Sequence, residues 1–205
     1  MDVPRPKEDG PSRPETEPAR IRERLGARSI VLIGMMGAGK SSVGRRLAAQ
    51  LDLPFVDADT EIETAAGMTI PEIFDRHGEA EFRDGERKVI RRLLESGPQV
   101  LATGGGAWMA PETREAVAEN GISVWLRAEV EVLLKRVRRR QDRPLLQGPD
   151  PEGTLRRLAD IRGPVYAMAD RIVESRDASH EVVVRDVLAQ VADVLDEEDR
   201  RKTEG

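Results

Sequence analysis

The stretch GMMGAGKSS, residues 34–42, constrains this chain more than any other because it follows the apolar run Ser29-Ile30-Val31-Leu32-Ile33 without a gap. Gly34, Gly39, Lys40 and Ser41 fit the phosphate-loop spacing G-x-x-x-x-G-K-[ST]. Glycines let the backbone curl until successive N–H groups face inward on phosphate oxygens, and a helix starting at once adds its positive end. Lys40 then reaches the β- and γ-phosphates, the Ser41 hydroxyl ligates Mg2+, and Ser42 bonds a phosphate nearer the nucleoside. The helical spacing of Val43, Leu47, Ala48 and Leu51 supplies that helix.

At 205 residues the chain suits one domain with a real core. Aromatic residues make up only 3%, so the core rests on Leu, Ile, Val and Ala, which suits parallel strands covered by helices on both faces. A net charge of −5 leaves no electrostatic footprint for nucleic acid. The absence of cysteine excludes disulfides, thiolate catalysis and Cys-ligated zinc. No apolar stretch has membrane-spanning length and the N-terminus lacks a signal-like segment, so a cytoplasmic protein without a membrane partner is expected. With no exposed apolar stripe in the pattern, a monomer is expected too.

Residues 1–28 are rich in Pro, Glu, Arg and Asp and read as a disordered tail, with 21–25 able to form a short helix against the domain. After the first helix, 53–56 reads as a second strand ending at Asp57-Ala58-Asp59. Two carboxylates at alternate positions of a strand end point the same way, at the sheet edge where ligands bind. One acid then sits near the Mg2+ shell and the other faces an acceptor hydroxyl; equally, Asp59 or Thr60 caps the helix beginning at Glu61. Thr69 and Glu72 have the spacing of a capping box for a helix to Gly78, and a second helix runs from about Glu79 to Gly97. Arg83 lies there among mixed charges.

Residues 99–102 read as a third strand running into Thr103-Gly104-Gly105-Gly106. Three glycines in a row carry an entropy cost that a close approach to the backbone or an unusual turn would justify. A helix over 111–120, a strand over 122–126 and a helix over 129–140 follow, the last ending in a dense set of arginines. Arg143-Pro144-Leu145-Leu146 opens a Pro/Gly-rich segment, and a mobile lid over about 138–153 carrying Arg143 onto transferring phosphoryl oxygens is expected. A helix over 152–161, a fifth strand over 172–174, a closing helix over 181–195 and a charged, frayed tail over 196–205 complete the chain. His77 and His180 read as surface residues.

Taken together, these pieces resemble the shikimate kinase family from about Ser29 to Leu195. The shared stretches are GKSSVGRRLA (39–48), DAD (57–59), EFRDGE (81–86), TGGGA (103–107), RPLL (143–146) and Arg162-Gly163-Pro164-Val165-Tyr166. The resemblance implies a three-layer α/β/α fold with a central five-stranded parallel sheet, of the P-loop, nucleoside monophosphate kinase-like type, over residues 29–195. It implies transfer of the γ-phosphoryl of MgATP to the 3-hydroxyl of shikimate. Gly37, Ala38, Gly39, Lys40, Ser41 and Ser42 match the ATP-binding loop, and Ser41 and Asp57 the metal site. Asp59 matches the acid on the shikimate hydroxyls, Arg83 and Arg162 the grip on its carboxylate, and Gly104, Gly105 and Gly106 the backbone beside it. Arg143 matches the lid arginine on the phosphoryl group, and Arg136 one that packs on adenine. Ser42 stands where the family most often has Thr, and the spacing between Tyr166 and Ala169-Asp170 is about one residue shorter than usual. Other readings are a kinase of the same fold for gluconate or a nucleoside monophosphate, and a non-catalytic nucleotide-binding protein.

Overall fold

Strand β1 (Ser29–Ile33) is buried along its whole length, as an uninterrupted apolar run between two covered faces requires. In the computed structural model, which describes residues 16–137, 150–176 and 179–204, β1 is the middle of a five-stranded sheet. Its neighbours are β3 (Val100–Ala102) and β4 (Gly121–Arg127), with β2 (Phe55–Asp57) outside β3 and β5 (Arg171–Glu174) outside β4. Every pairing is parallel, so all five carboxyl ends face one edge. Helices flank the sheet: α1 (Glu17–Leu25), α2 (Lys40–Leu51), α3 (Ala58–Ala66), α4 (Ile70–Glu95), α5 (Pro111–Asn120), α6 (Val130–Val137), α7 (Pro151–Tyr166) and α8 (His180–Glu204). None of the described helices is long and apolar enough to cross a membrane.

The expected capping box forms at the start of α4: the Thr69 hydroxyl accepts from the Glu72 N–H, and the Glu72 carboxylate accepts from the Thr69 N–H at 2.8 Å. Gly78, at φ 81° and ψ 173°, breaks α4 where two separate helices are expected. Only glycine adopts that conformation without strain.

The short helix expected over 21–25 is present and longer, residues 1–15 of the expected N-terminal tail lie outside the described residues, and the frayed tail expected at the other end is corrected. Residues 17–25 are helical, and the i, i+4 pair Ile21 and Leu25 is buried to 2% and 1% exposure. The charged stretch 196–204 continues α8 instead of fraying. The reason is mutual: Arg24 pairs with Asp196 at 2.7 Å and Asp199 at 2.8 Å, and Arg28 holds Glu198 through two bonds of 2.7 and 2.9 Å. Each segment looks solvated alone because its partner charges are at the other end of the chain.

At the end of the expected lid, 151–153 belong to helix α7. Asp150 is the N-cap of α7, accepting from the Gly153 N–H at 2.8 Å, and Pro151 fills the first turn, where its missing N–H costs nothing. The same helix continues through Pro164 to Tyr166, five residues past the expected end. Residues 138–149, Arg143 among them, lie outside the described residues. The short spacing after Tyr166 is closed by Asp170, whose carboxylate accepts from the N–H and hydroxyl of Ser123 on β4.

Candidate active site

Three loops leave the carboxyl edge of the sheet side by side. The loop after central β1 is the phosphate loop, with Gly34, Gly37 and Gly39 all at positive φ (137°, 82° and 96°). Two of them are also packed too closely for any side chain: a Cβ on Gly34 would lie 2.6 Å from the Leu126 carbonyl, and one on Gly37 2.8 Å from a Val137 methyl. Lys40 starts α2 and folds back across the loop, its Nζ donating to the Gly34 and Met35 carbonyls at 2.8 and 3.1 Å. From α6, Arg136 donates to the Gly37 and Ala38 carbonyls at 3.3 Å each and to the Ser175 hydroxyl at 2.9 Å, and Ser175 donates to Ala38 at 2.7 Å. The outside of the loop is thereby tied down, leaving Arg136 at its rim.

β2 ends at Asp57, and this residue, not Asp59 or Thr60, caps α3. Its Oδ1 accepts from the Asp59 N–H at 3.2 Å. The other oxygen, Oδ2, accepts from the Ser41 hydroxyl at 2.7 Å. One carboxylate therefore starts a helix and stands beside the first hydroxyl of the phosphate loop. Among the described residues no group of three or more His, Asp or Glu side chains gathers to hold a metal alone. Two hard oxygen donors next to a phosphate cradle fit Mg2+, which takes its remaining ligands from phosphates and water.

The third loop is Gly104-Gly105-Gly106 after β3, and the close approach that its glycines anticipate is present on all three. A Cβ on Gly104 would meet Asp59 Oδ1 at 2.8 Å and Glu86 Oε1 at 3.0 Å. On Gly105 it would meet Arg162 at 3.2 Å, and on Gly106 the Arg83 guanidinium at 2.6 to 2.8 Å. Side chains from α3, α4 and α7 thus converge on one bare strip of backbone. Gly105 also lies against the Gly34 carbonyl and the Met36 N–H, so this strip adjoins the phosphate loop.

Glu86 is the residue that sequence reasoning passed over. It is 2% exposed, and Arg83 donates to its Oε2 at 2.7 Å. Burial pushes its carboxyl above the usual carboxylate range, while the charge and hydrogen bond of Arg83 oppose the rise. Burial also disfavours the Arg83 cation, yet Glu86 and Glu79 prevail and hold it charged. The signal was available, since residues three apart share a helix face. Trp108 is 3% exposed, and its indole N–H donates to the Val165 carbonyl at 3.0 Å, fastening the turn after the glycines to α7.

A sequence model of the family described as shikimate kinase matches residues 36–192. A shikimate kinase of Bradyrhizobium diazoefficiens is 63% identical over 170 residues, 83% of this chain and 82% of that protein. One of Rhodopseudomonas palustris is 60% identical over 177 residues, covering 86% and 87%. Among solved structures, shikimate kinase from Acinetobacter baumannii in complex with shikimate superposes with a TM-score of 0.79 at 40% identity, over 84% of this chain and 97% of that one. A gluconokinase from Sinorhizobium meliloti, at 21% identity and a TM-score of 0.58, shares the fold. The chain belongs to the shikimate kinase family.

Proposed function

We propose that this protein transfers the γ-phosphoryl of MgATP to the 3-hydroxyl of shikimate, giving shikimate 3-phosphate and ADP for aromatic amino acid biosynthesis. The observation that carries the reading is the convergence of Asp59, Arg83 and Arg162 on the Gly104–Gly106 backbone, directly beside the phosphate loop. A polyhydroxylated ring acid needs acceptors for its hydroxyls and a cation for its carboxylate, and guanidinium groups supply a planar, two-pronged one. A gluconate or nucleotide acceptor gives no reason for two arginines and a carboxylate to line one glycine strip. A non-catalytic nucleotide switch gives no reason for an acceptor pocket at all.

The phosphate-loop N–H groups and Lys40 hold the β- and γ-phosphates, with Lys40 leaving its present carbonyl partners for them. Ser41 and Asp57 would hold Mg2+, and the ion would supply positive charge to offset that of the phosphates. Arg83 and Arg162 fix the acceptor carboxylate, and Asp59 orients the ring and takes the proton of the attacking hydroxyl. Phosphoryl transfer has a loose transition state, so positioning and charge neutralisation outweigh that proton transfer. Arg143 completes the charge clamp from the segment following α6, and Arg136, at the rim of the loop, packs on the adenine. The chain acts as a cytoplasmic monomer.

The test is ATP-dependent phosphorylation with Mg2+ and shikimate, with gluconate, CMP and water as parallel acceptors. Turnover with shikimate alone, abolished in Asp59→Asn, is expected. Nucleotide binding without shikimate turnover would sink the acceptor assignment while leaving the phosphate loop standing.

A further inference from the structure

The last residue of the Arg162–Tyr166 stretch has no part in the chemistry above, yet it is 1% exposed and lies among the pieces of the site. The Tyr166 hydroxyl donates to the Gly105 carbonyl. Its oxygen lies 3.8 Å from the Met35 sulfur of the phosphate loop. The Arg162 guanidinium lies against the same glycine, its Nη1 3.2 Å from where a Gly105 Cβ would stand, and its charge opposes the upward push of burial on the phenol. The ring is fixed independently of the hydroxyl, packed against Trp125 at a centroid distance of 5.6 Å. The neighbouring Val165 carbonyl is held by Trp108, so the helix turn that carries Tyr166 is itself anchored to the glycine segment.

We infer that Tyr166 is a positioning residue: its hydroxyl holds the Gly105 peptide against which the Arg162 guanidinium lies, setting the shikimate carboxylate grip against the glycine strip. Arg162 sits one helical turn before Tyr166 on α7, so both side chains project from one face. An arginine has several staggered ways to lie along a helix, and holding one of them costs entropy. A Gly105 peptide held by the buried phenol gives the guanidinium one fixed surface to lie on before substrate arrives. Because Gly105 also abuts Gly34 and Met36, the same contact sets the acceptor at a fixed distance from the phosphate loop. Tyr166 itself touches neither substrate and acts through Arg162.

The inference rests on Arg162 gripping the acceptor carboxylate, and the experiment separates the two. Tyr166→Phe, Arg162→Ala and the double variant are compared by steady-state kinetics with each substrate varied. Tyr166→Phe is expected to raise the shikimate KM roughly tenfold, the size of one net hydrogen bond, with the ATP KM within about twofold. In the Arg162→Ala background the same change should have no further effect on the shikimate KM. An unchanged shikimate KM in Arg162→Ala overturns the carboxylate grip. A raised KM there with none in Tyr166→Phe, or additive effects in the double variant, overturns the role of Tyr166 alone. Equal rises in both KM values with a lowered melting temperature overturn it too, as the mark of general damage. Should Tyr166→Phe fail to fold, a second measurement decides. Tyr166 is the only tyrosine in the chain, so 3-fluorotyrosine incorporation gives one 19F resonance. That resonance should move on adding shikimate and also in Arg162→Ala without ligand; indifference to both overturns the inference.

Discussion

Replacing Gly106 by alanine puts a methyl group where the Arg83 guanidinium now lies. The backbone tolerates the change, since Gly106 sits at φ −95° and ψ −18°, open to any L residue. The space does not: the new Cβ would be 2.6, 2.7 and 2.8 Å from Nη1, Nη2 and Cζ, where ordinary contact begins at 3.4 Å. Arg83 must retreat by about 0.8 Å, the difference between 3.4 and 2.6 Å. Its bonds to Glu86 at 2.7 Å and Glu79 at 3.3 Å resist a simple swing away. A misplacement of that size, or the loss of one charge-assisted hydrogen bond of about 1.5–3 kcal/mol, corresponds to roughly 10- to 100-fold in binding. Gly106→Ala should therefore raise the shikimate KM by that factor, leave the ATP KM within about twofold, and barely move the melting temperature. Gly85→Ala is the control. It lies on the same helix as Arg83, nothing approaches its Cβ within 4 Å, and a helical Gly-to-Ala change there should stabilise by about 0.5–1 kcal/mol. ADP release measured with each substrate varied reads both effects. An unchanged shikimate KM in Gly106→Ala, or an equal rise for ATP, would refute the claim that the strip is kept bare to let Arg83 lie on it.

Lys40→Met should lower kcat by orders of magnitude, whereas Arg83→Ala should mainly raise the shikimate KM; like effects on both parameters in the two variants count against the assigned roles. Ile21→Ala should cost about 2–4 kcal/mol in urea unfolding because the side chain is buried, and Arg28→Ala about 1 kcal/mol because its ion pair with Glu198 keeps 29% and 31% of the two side chains in water, where the attraction is screened. The reverse order would mean that charge, not burial, holds α1. Glu86 has its carboxyl raised by burial, so its protonated form suits the fold. The stability it contributes is full below the ordinary carboxylate range and is lost as pH rises through the folded value. Unfolding midpoints of the wild type relative to Glu86→Gln should accordingly fall from pH 4 towards pH 7, and a rise would show that the attraction of Arg83 outweighs burial.

Local chemistry made the centre of this molecule readable and distance hid the rest. The run 29–33 announces a buried parallel strand because all its neighbours are apolar, and the three glycines after β3 announce a close approach because nothing else justifies their entropy. A cap is expected at Asp59 or Thr60 because the helix is expected to begin at Glu61; α3 starts three residues earlier, at Ala58, so Asp57 caps it while its other carboxylate oxygen accepts from the Ser41 hydroxyl. Glu86 was legible in principle, three residues from Arg83 on one helix. No such local cue exists for Tyr166, whose acceptor is 61 residues away, or for Arg24, whose partner Asp196 is 172 residues away. A phenol reads as core and a charged terminus reads as solvent until the fold brings their partners up. The same physics explains why the acceptor side was harder to read than the nucleotide side. A phosphate loop is made of consecutive backbone groups, whereas the side chains proposed for the acceptor, Asp59, Arg83 and Arg162, come from α3, α4 and α7 onto a loop that belongs to none of them.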